Sequence, residues 1–160
     1  RTQFGNGWAK VNGGSTRDII LYRDLQNPIL EDECSVVTGT LNDLYSGEVI
    51  YFSKERSAEV QIDHVVALSD AWQKGAQQLT IEQRKQLAND PLELLASSGK
   101  ENQAKGDGDA ATWLPKNKEF RCTYVARQIA VKKKYVLWVT EAEKKAMSDV
   151  LAVCPAQALP

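Results

Sequence analysis

Histidine is almost missing from this chain of 160 residues, and His64 is its single example. Cysteine is scarce as well: Cys34, Cys122 and Cys154 make an odd set without a CxxC pair. One imidazole and three scattered thiols are too few donors, in the wrong spacing, for a closed zinc site. Long apolar runs are also lacking, since stretches such as VVAL at 65–68 fall far below the roughly 18 residues that cross a bilayer. No basic-plus-apolar leader opens the chain. These absences exclude a membrane-spanning reading and leave a soluble protein with no membrane partner. Neither internal repeats nor low-complexity tracts are present.

The chain has 42% hydrophobic and 26% charged residues, which suits one globular domain with a sizeable core. It begins with Arg1 instead of Met and reads as a trimmed or processed chain, from which any secretion signal has been removed. Cys122 and Cys154 both fall in the C-terminal helical region. Their pairing is the expected disulfide, closing a loop worth roughly 3 to 4 kcal/mol in the chain-entropy model, and it points to a secreted or periplasmic protein. Cys34 is left single.

The formal net charge of −1 argues against a general polyanion binder, but the charge is uneven. Lys116, Lys118, Arg121, Arg127, Lys132, Lys133 and Lys134 share one segment with a single acid, Glu119, for a local +6 against −7 elsewhere. Such asymmetry predicts a basic face suited to a nucleic-acid backbone, with a solvated helix face as the plainer reading.

Local signals alternate between helix and strand, giving an α+β fold class. Residues 1–14 are glycine-rich and read as a loosely ordered arm, followed by a single domain over 15–160. Ser15 or Thr16 caps a helix through Leu25, stopped by Asn27 and Pro28. SVVTGTL and EVIYF flank NDLYSG as a β-hairpin. Thr80 with Gln83, Ser98 with Glu101 and Thr140 with Glu143 fit the capping-box pattern. A further helix after Pro115 carries the basic residues. Trp72 and Trp113 are expected in the core, and Asn117 as a helix cap.

The stretch QIDHVVALSDAW, residues 61–72, carries the chemistry. A strand ending at His64, an insertion, the strand LELLAS and the helix SGKENQAKGD give a β, β, α order, which can bring His64 and Asn102 to face each other across a small cleft. Asp63 offers a carboxylate oxygen and Asn102 an amide oxygen. Two oxygens are too few to cage a cation, yet they suit magnesium, which keeps several waters and takes further oxygens from phosphate. His64 has the one side chain whose ordinary pKa makes it a neutral base near pH 7. Arg17, at the start of a helix, is a candidate phosphate clamp.

IDHVVAL followed by ELLASSGKENQAKGD resembles the HNH, or ββα-metal, nuclease motif. From about Thr16, with TRDIILYRDL, to Cys154, the chain is similar to the secreted HNH endonucleases of bacteria and fungi. The resemblance implies that Asp63 and Asn102 ligate the metal and that His64 is the general base. Lys105 becomes a candidate phosphate contact. Two departures stand out. The middle Asn of the motif is Glu93 here, which leaves it at most a bracing role behind the ligands. Relatives also tend to carry a cysteine just before the Thr-Arg pair, where this chain has Gly13, Gly14 and Ser15, so the usual partner of Cys34 is missing.

The resulting expectation is an α+β, ββα-metal core with a β-hairpin and surrounding helices, acting as a monomeric endonuclease on DNA or RNA. One divalent cation is implied, Mg2+ or alternatively Mn2+. Cleavage is expected to show little sequence specificity and to leave 5'-phosphate and 3'-hydroxyl ends, with Arg121, Arg127, Lys132, Lys133 and Lys134 on the backbone. Two alternatives stay open: a non-catalytic nucleic-acid-binding module, and a cysteine hydrolase pairing His64 with Cys34 or Cys122.

Overall fold

The first helix starts where the sequence places it. In the computed structural model, which describes residues 1–160, the short strands β1 (Lys10–Val11) and β2 (Gly14–Ser15) pair and lead into α1 (Thr16–Asp24). The Ser15 hydroxyl accepts from the Asp18 N–H as its N-cap. Ile20 and Leu21 are buried on one side of α1, and Ile19 and Tyr22 face solvent. The helix ends before Pro28, but the chain does not turn into a loop there. It continues as β3 (Leu25–Leu30), an edge strand whose register shifts between Gln26 and Ile29. Proline lacks an N–H, and an edge position beside an irregularity tolerates that lack.

The hairpin follows as expected. β4 (Val36–Asn42) pairs antiparallel with β3 and with β5 (Val49–Ser53), giving a three-stranded sheet in the order β3-β4-β5. Next comes β6 (Val60–His64), then α2 (Leu68–Gln73) and α3 (Ile81–Asn89), then β7 (Leu94–Ser98). Thr80 and Gln83 form a reciprocal capping box on α3. β6 and β7 pair antiparallel with Asp63 opposite Leu95 and His64 opposite Leu94.

The chain passes directly from β7 into α4 (Gly99–Lys105). The Ser98 and Glu101 pattern is not a capping box: Ser98 makes no side-chain cap, and Glu101 pairs with Lys116 at 2.6 Å. Gly99 is required at this junction because a Cβ there would lie 2.0 Å from the Ala58 carbonyl oxygen. α5 (Arg121–Lys134) and α6 (Glu141–Ala152) complete the fold. Asn117 and Thr140 cap their segments through the N–H groups of Glu119 and Glu143.

The β6–β7 pair lies at the centre of this mixed α+β arrangement. One face, with Val60, Ile62, Leu94 and Ala96, joins α1 and the three-stranded sheet in one core cluster. On the other, Leu95 packs with Tyr45, Phe120, Tyr124 and Met147 beneath α5 and α6. Cys122 and Cys154 form a disulfide that ties α5 to the end of α6, and Cys34 is free. No helix is long and apolar enough to cross a membrane.

Candidate active site

Strand register and one turn build the site. His64 ends β6, Asn102 lies in the middle of α4, and both line a cleft of about 270 Å³ with Asp63, Ser69, Asp107 and Arg1. His64, Asp63 and Asn102 are therefore brought together. Asp107, just beyond the end of α4, is a cleft residue as well.

One nitrogen of the His64 ring is held by the backbone. Its Nε2 lies 3.0 Å from the Ala88 carbonyl oxygen. A carbonyl can only accept, so Nε2 carries the proton and Nδ1 holds the basic lone pair. Arg1 Nη1, at 3.5 Å from the same Nε2, then meets a donor and makes no hydrogen bond to it. Burial pulls the imidazole from 6.5 down to about 3, with the Ala88 contact opposing and the Arg1 and Lys105 charges assisting. Trp8 lies over the ring, with centroids 5.5 Å apart and planes 8° from parallel.

Asp63 is buried, and both of its oxygens are engaged. Oδ2 accepts from the Tyr45 hydroxyl at 2.5 Å and Oδ1 from the Lys105 ammonium at 2.9 Å. Tyr45 comes from the β4–β5 turn. The Asp43 carboxylate sets that turn by accepting from Ser46 N–H, Ser46 hydroxyl and the Ser98 N–H at the β7–α4 junction. Burial, with the Asp63 charge next, raises the Tyr45 phenol well above its ordinary value and keeps it a donor. Tyr45 gave no sequence signal, because nothing local marks a turn tyrosine as the partner of a carboxylate 18 positions later.

Lys105, the candidate phosphate contact, is turned inward. Its side chain has no exposure, and its ammonium is divided between Asp63 and the His64 carbonyl at 2.7 Å. Glu93 is likewise buried, as a brace behind the site: its carboxylate accepts the Val66 N–H at 3.1 Å and its backbone carbonyl accepts the Val65 N–H at 2.8 Å. These bonds hold the loop just after His64. Burial raises the Glu93 carboxyl well above the ordinary range, against the Val66 hydrogen bond and the Lys105 charge.

The other phosphate candidates lie elsewhere. Arg17 reaches the Val60 carbonyl at 3.3 Å and covers the Phe52 ring, at the opposite end of β6 from His64, about 13 Å away at the usual rise per residue. Most of the expected basic face is committed internally. Arg127 donates to the carbonyls of Pro91, Leu92 and Leu94, and Arg121 to that of Pro115. Lys132 is buried in a network with Lys74, Asp70, Asp109 and Glu143. Lys134 pairs with Asp90, and Lys133 is exposed. The sequence cluster was real, but its counter-charges come from distant segments.

Asn102 donates from Nδ2 to Gln61 Oε1 at 2.8 Å, which leaves Oδ1 as its acceptor. A carboxylate offers about four lone-pair sites, so Asp63 retains acceptor capacity after Tyr45 and Lys105. No three His, Cys, Asp or Glu side chains form a metal-holding group. Hard oxygens in this small number fit a cation that keeps most of its own waters and do not fit a caged one.

Residues 16–150 match the family of the C-terminal domain of GmrSD restriction endonucleases. The chain belongs to that family. A relative in Arthroderma benhamiae, an uncharacterized secreted protein, is 37% identical over 150 residues, covering 92% of this chain and 72% of its own length. No solved structure matches. The matched GmrSD C-terminal region spans Asp63, His64, Glu93, Asn102 and Lys105; residues 1–15, with Arg1 and Trp8, precede it. Membership makes a nuclease-related function and a nucleic-acid substrate the setting for the cleft.

Proposed function

We propose that the chain is a metal-dependent endonuclease of the HNH, ββα-metal type, acting as a monomer on DNA or RNA outside the cytoplasm. One observation carries this reading: a histidine held by a backbone carbonyl so that Nδ1 is its base, in the same cleft as the oxygens of Asp63 and Asn102. The secreted relative and the disulfide support the location.

In the proposed reaction His64 Nδ1 takes a proton from a water, and that water attacks the phosphorus in line with the departing 3'-oxygen. The Ala88 carbonyl accepts from Nε2–H and stabilises the imidazolium that forms. Tyr45 and Lys105 hold the Asp63 carboxylate in one orientation, and Gln61 does the same for the Asn102 amide. Asp63 and Asn102 would hold a Mg2+ or Mn2+, which would supply Lewis acidity to the phosphodiester. The departing 3'-oxyanion takes a proton from solvent water, so the products carry 5'-phosphate and 3'-hydroxyl ends. Little sequence specificity is expected, because α5 uses Arg127 and Lys132 internally and leaves only Lys133 and Lys134 exposed, as charges that meet a backbone and do not read base edges.

A cysteine hydrolase no longer competes. Cys122 is in the disulfide, and the Cys34 sulfur contacts the Asn12 carbonyl and is not among the residues lining the His64 cleft. The non-catalytic binding module is separated by incubating supercoiled plasmid and RNA with the protein in Mg2+, Mn2+ or EDTA. Nicking or degradation in metal alone, with ends that a ligase rejoins, supports the proposal. Intact substrate under every condition supports the module.

A further inference from the structure

The segment before β1 reaches the cleft through Arg1. Phe4 is buried and meets Trp72 edge-on at 6.2 Å, within the cluster that holds Leu87 and Ala88. The segment is tied down again by the Ala9 N–H to Asn89 Oδ1 and by the Thr16 N–H to the Ala9 carbonyl. Between these anchors Gly5 and Gly7, with φ of 94° and 75°, redirect the chain and bring the Trp8 ring parallel to the imidazole of His64. The Arg1 guanidinium lies 5.0 Å from the Trp8 ring centroid, donates to the Gly7 carbonyl at 2.6 Å and lines the cleft.

Two physical needs of the site are met here. A single hydrogen bond at Nε2 fixes one atom of His64 but leaves the ring plane free, and a parallel indole face limits that rotation. The cleft also has to accept a phosphate beside the carboxylates of Asp63 and Asp107. Lys105, the other nearby cation, is buried and shared between Asp63 and the His64 carbonyl. Arg1 makes no ion pair with any carboxylate. An uncompensated guanidinium at the mouth of the cleft has the planar fork that binds phosphate oxygens in pairs.

We propose, building on the nuclease reading, that Trp8 is a positioning residue that sets the plane of the His64 imidazole, and that Arg1 binds a backbone phosphate of the substrate. The working site then extends beyond the family-matched residues into the glycine-rich N-terminal segment. Trp8 acts through His64 on the chemical step. Arg1 acts on binding.

The test uses the full chain with Trp8→Ala, Trp8→Phe and Arg1→Gln, each compared with the parent. Trp8→Ala is expected to lower kcat at least about tenfold with KM within about twofold, since small misplacements of a reacting group have large effects on rate. Trp8→Phe, which keeps a flat face, should recover most of that loss. Arg1→Gln should raise KM several-fold at nearly constant kcat and weaken binding of a fluorescein-labelled DNA duplex measured in EDTA. Because His64 is the single histidine, its imidazole gives one set of NMR signals. Those signals should shift on removal of the Trp8 ring current and largely return in Trp8→Phe. If the parent protein does not cleave nucleic acid in Mg2+ or Mn2+, the nuclease reading fails, and the imidazole signals and duplex binding still decide this inference. Unmoved imidazole signals in Trp8→Ala, or unchanged duplex affinity in Arg1→Gln, would overturn it. So would a Trp8→Ala rate loss that Trp8→Phe does not recover.

Discussion

Asp63→Asn looks like a clean removal of a metal ligand's charge, but the surroundings of Asp63 predict a larger structural effect. The carboxylate is the charged partner of Lys105, whose side chain is wholly buried, and the acceptor for the buried Tyr45 hydroxyl. An amide keeps the size and one acceptor oxygen. That oxygen can still accept from Lys105 while Nδ2 turns to the Tyr45 oxygen, but the buried ammonium loses its charged partner and keeps only neutral oxygens, the amide's and the His64 carbonyl's. Removing one member of a buried ion pair costs about 3 to 5 kcal/mol, and the surviving carbonyl contact favours the lower end, about 3 kcal/mol. For a domain of this size each kcal/mol lowers Tm by about 2 to 4 °C, so the melt should fall by about 6 to 12 °C. Urea unfolding of Asp63→Asn, Lys105→Met and the double variant measures the pair directly. The double variant should recover part of the loss, with a coupling of at least about 1 kcal/mol. Additive losses would refute the buried pair, as would an unchanged midpoint in Asp63→Asn. Metal affinity of this variant has to be read at a temperature where it is folded.

Burial holds His64 neutral down to about 3, so the acid limb of kcat/KM should fall well below pH 6.5, and an inflection near 6.5 in an NMR titration of the imidazole would contradict the geometry. The same depressed pKa gives a stability contribution that is complete above pH 6.5 and is lost as pH falls from there toward 3, because the unfolded chain takes up the proton first; urea midpoints across that range follow it. Lys132→Ala should destabilise the fold by about 3 kcal/mol or more because it breaks a buried network, whereas Lys133→Ala should leave the urea midpoint nearly unchanged and alter the salt slope of DNA binding by no more than about 0.9. Gly14→Cys places a Cβ 3.0 Å from that of Cys34; after a small backbone shift it should form a disulfide worth about 3 kcal/mol, seen as loss of the titratable thiol and a higher melting temperature.

Much of the framework was legible because its causes are local. The Ser15 cap, the Thr80 and Gln83 box, the β4–β5 hairpin and the β6, β7, α4 order each depend on residues a few positions apart. They place Asp63, His64 and Asn102 on one cleft. What escaped depends on pairings across the chain. Lys132 and Arg127 read as parts of a basic face because their partners, Asp70, Glu143 and the carbonyls of Pro91 to Leu94, lie 11 to 62 positions away in the sequence. Lys105 read as a phosphate contact because a sequence cannot show that its head group is enclosed. The N-terminal segment read as a loose arm on its glycines alone, although Phe4 and Trp8 within it meet Trp72 and His64.

The central claim is that His64 acts as a base for metal-assisted phosphodiester hydrolysis, and a single plasmid assay tests it. Supercoiled DNA is incubated in Mg2+ with the parent protein or with His64→Ala, and each reaction is repeated in EDTA. The parent in Mg2+ should give nicked and then linear DNA, with none in EDTA, and the folded His64→Ala variant a rate lower by about 10² to 10⁴. Cleavage by His64→Ala at the parental rate would contradict it, as would cleavage that continues undiminished in EDTA.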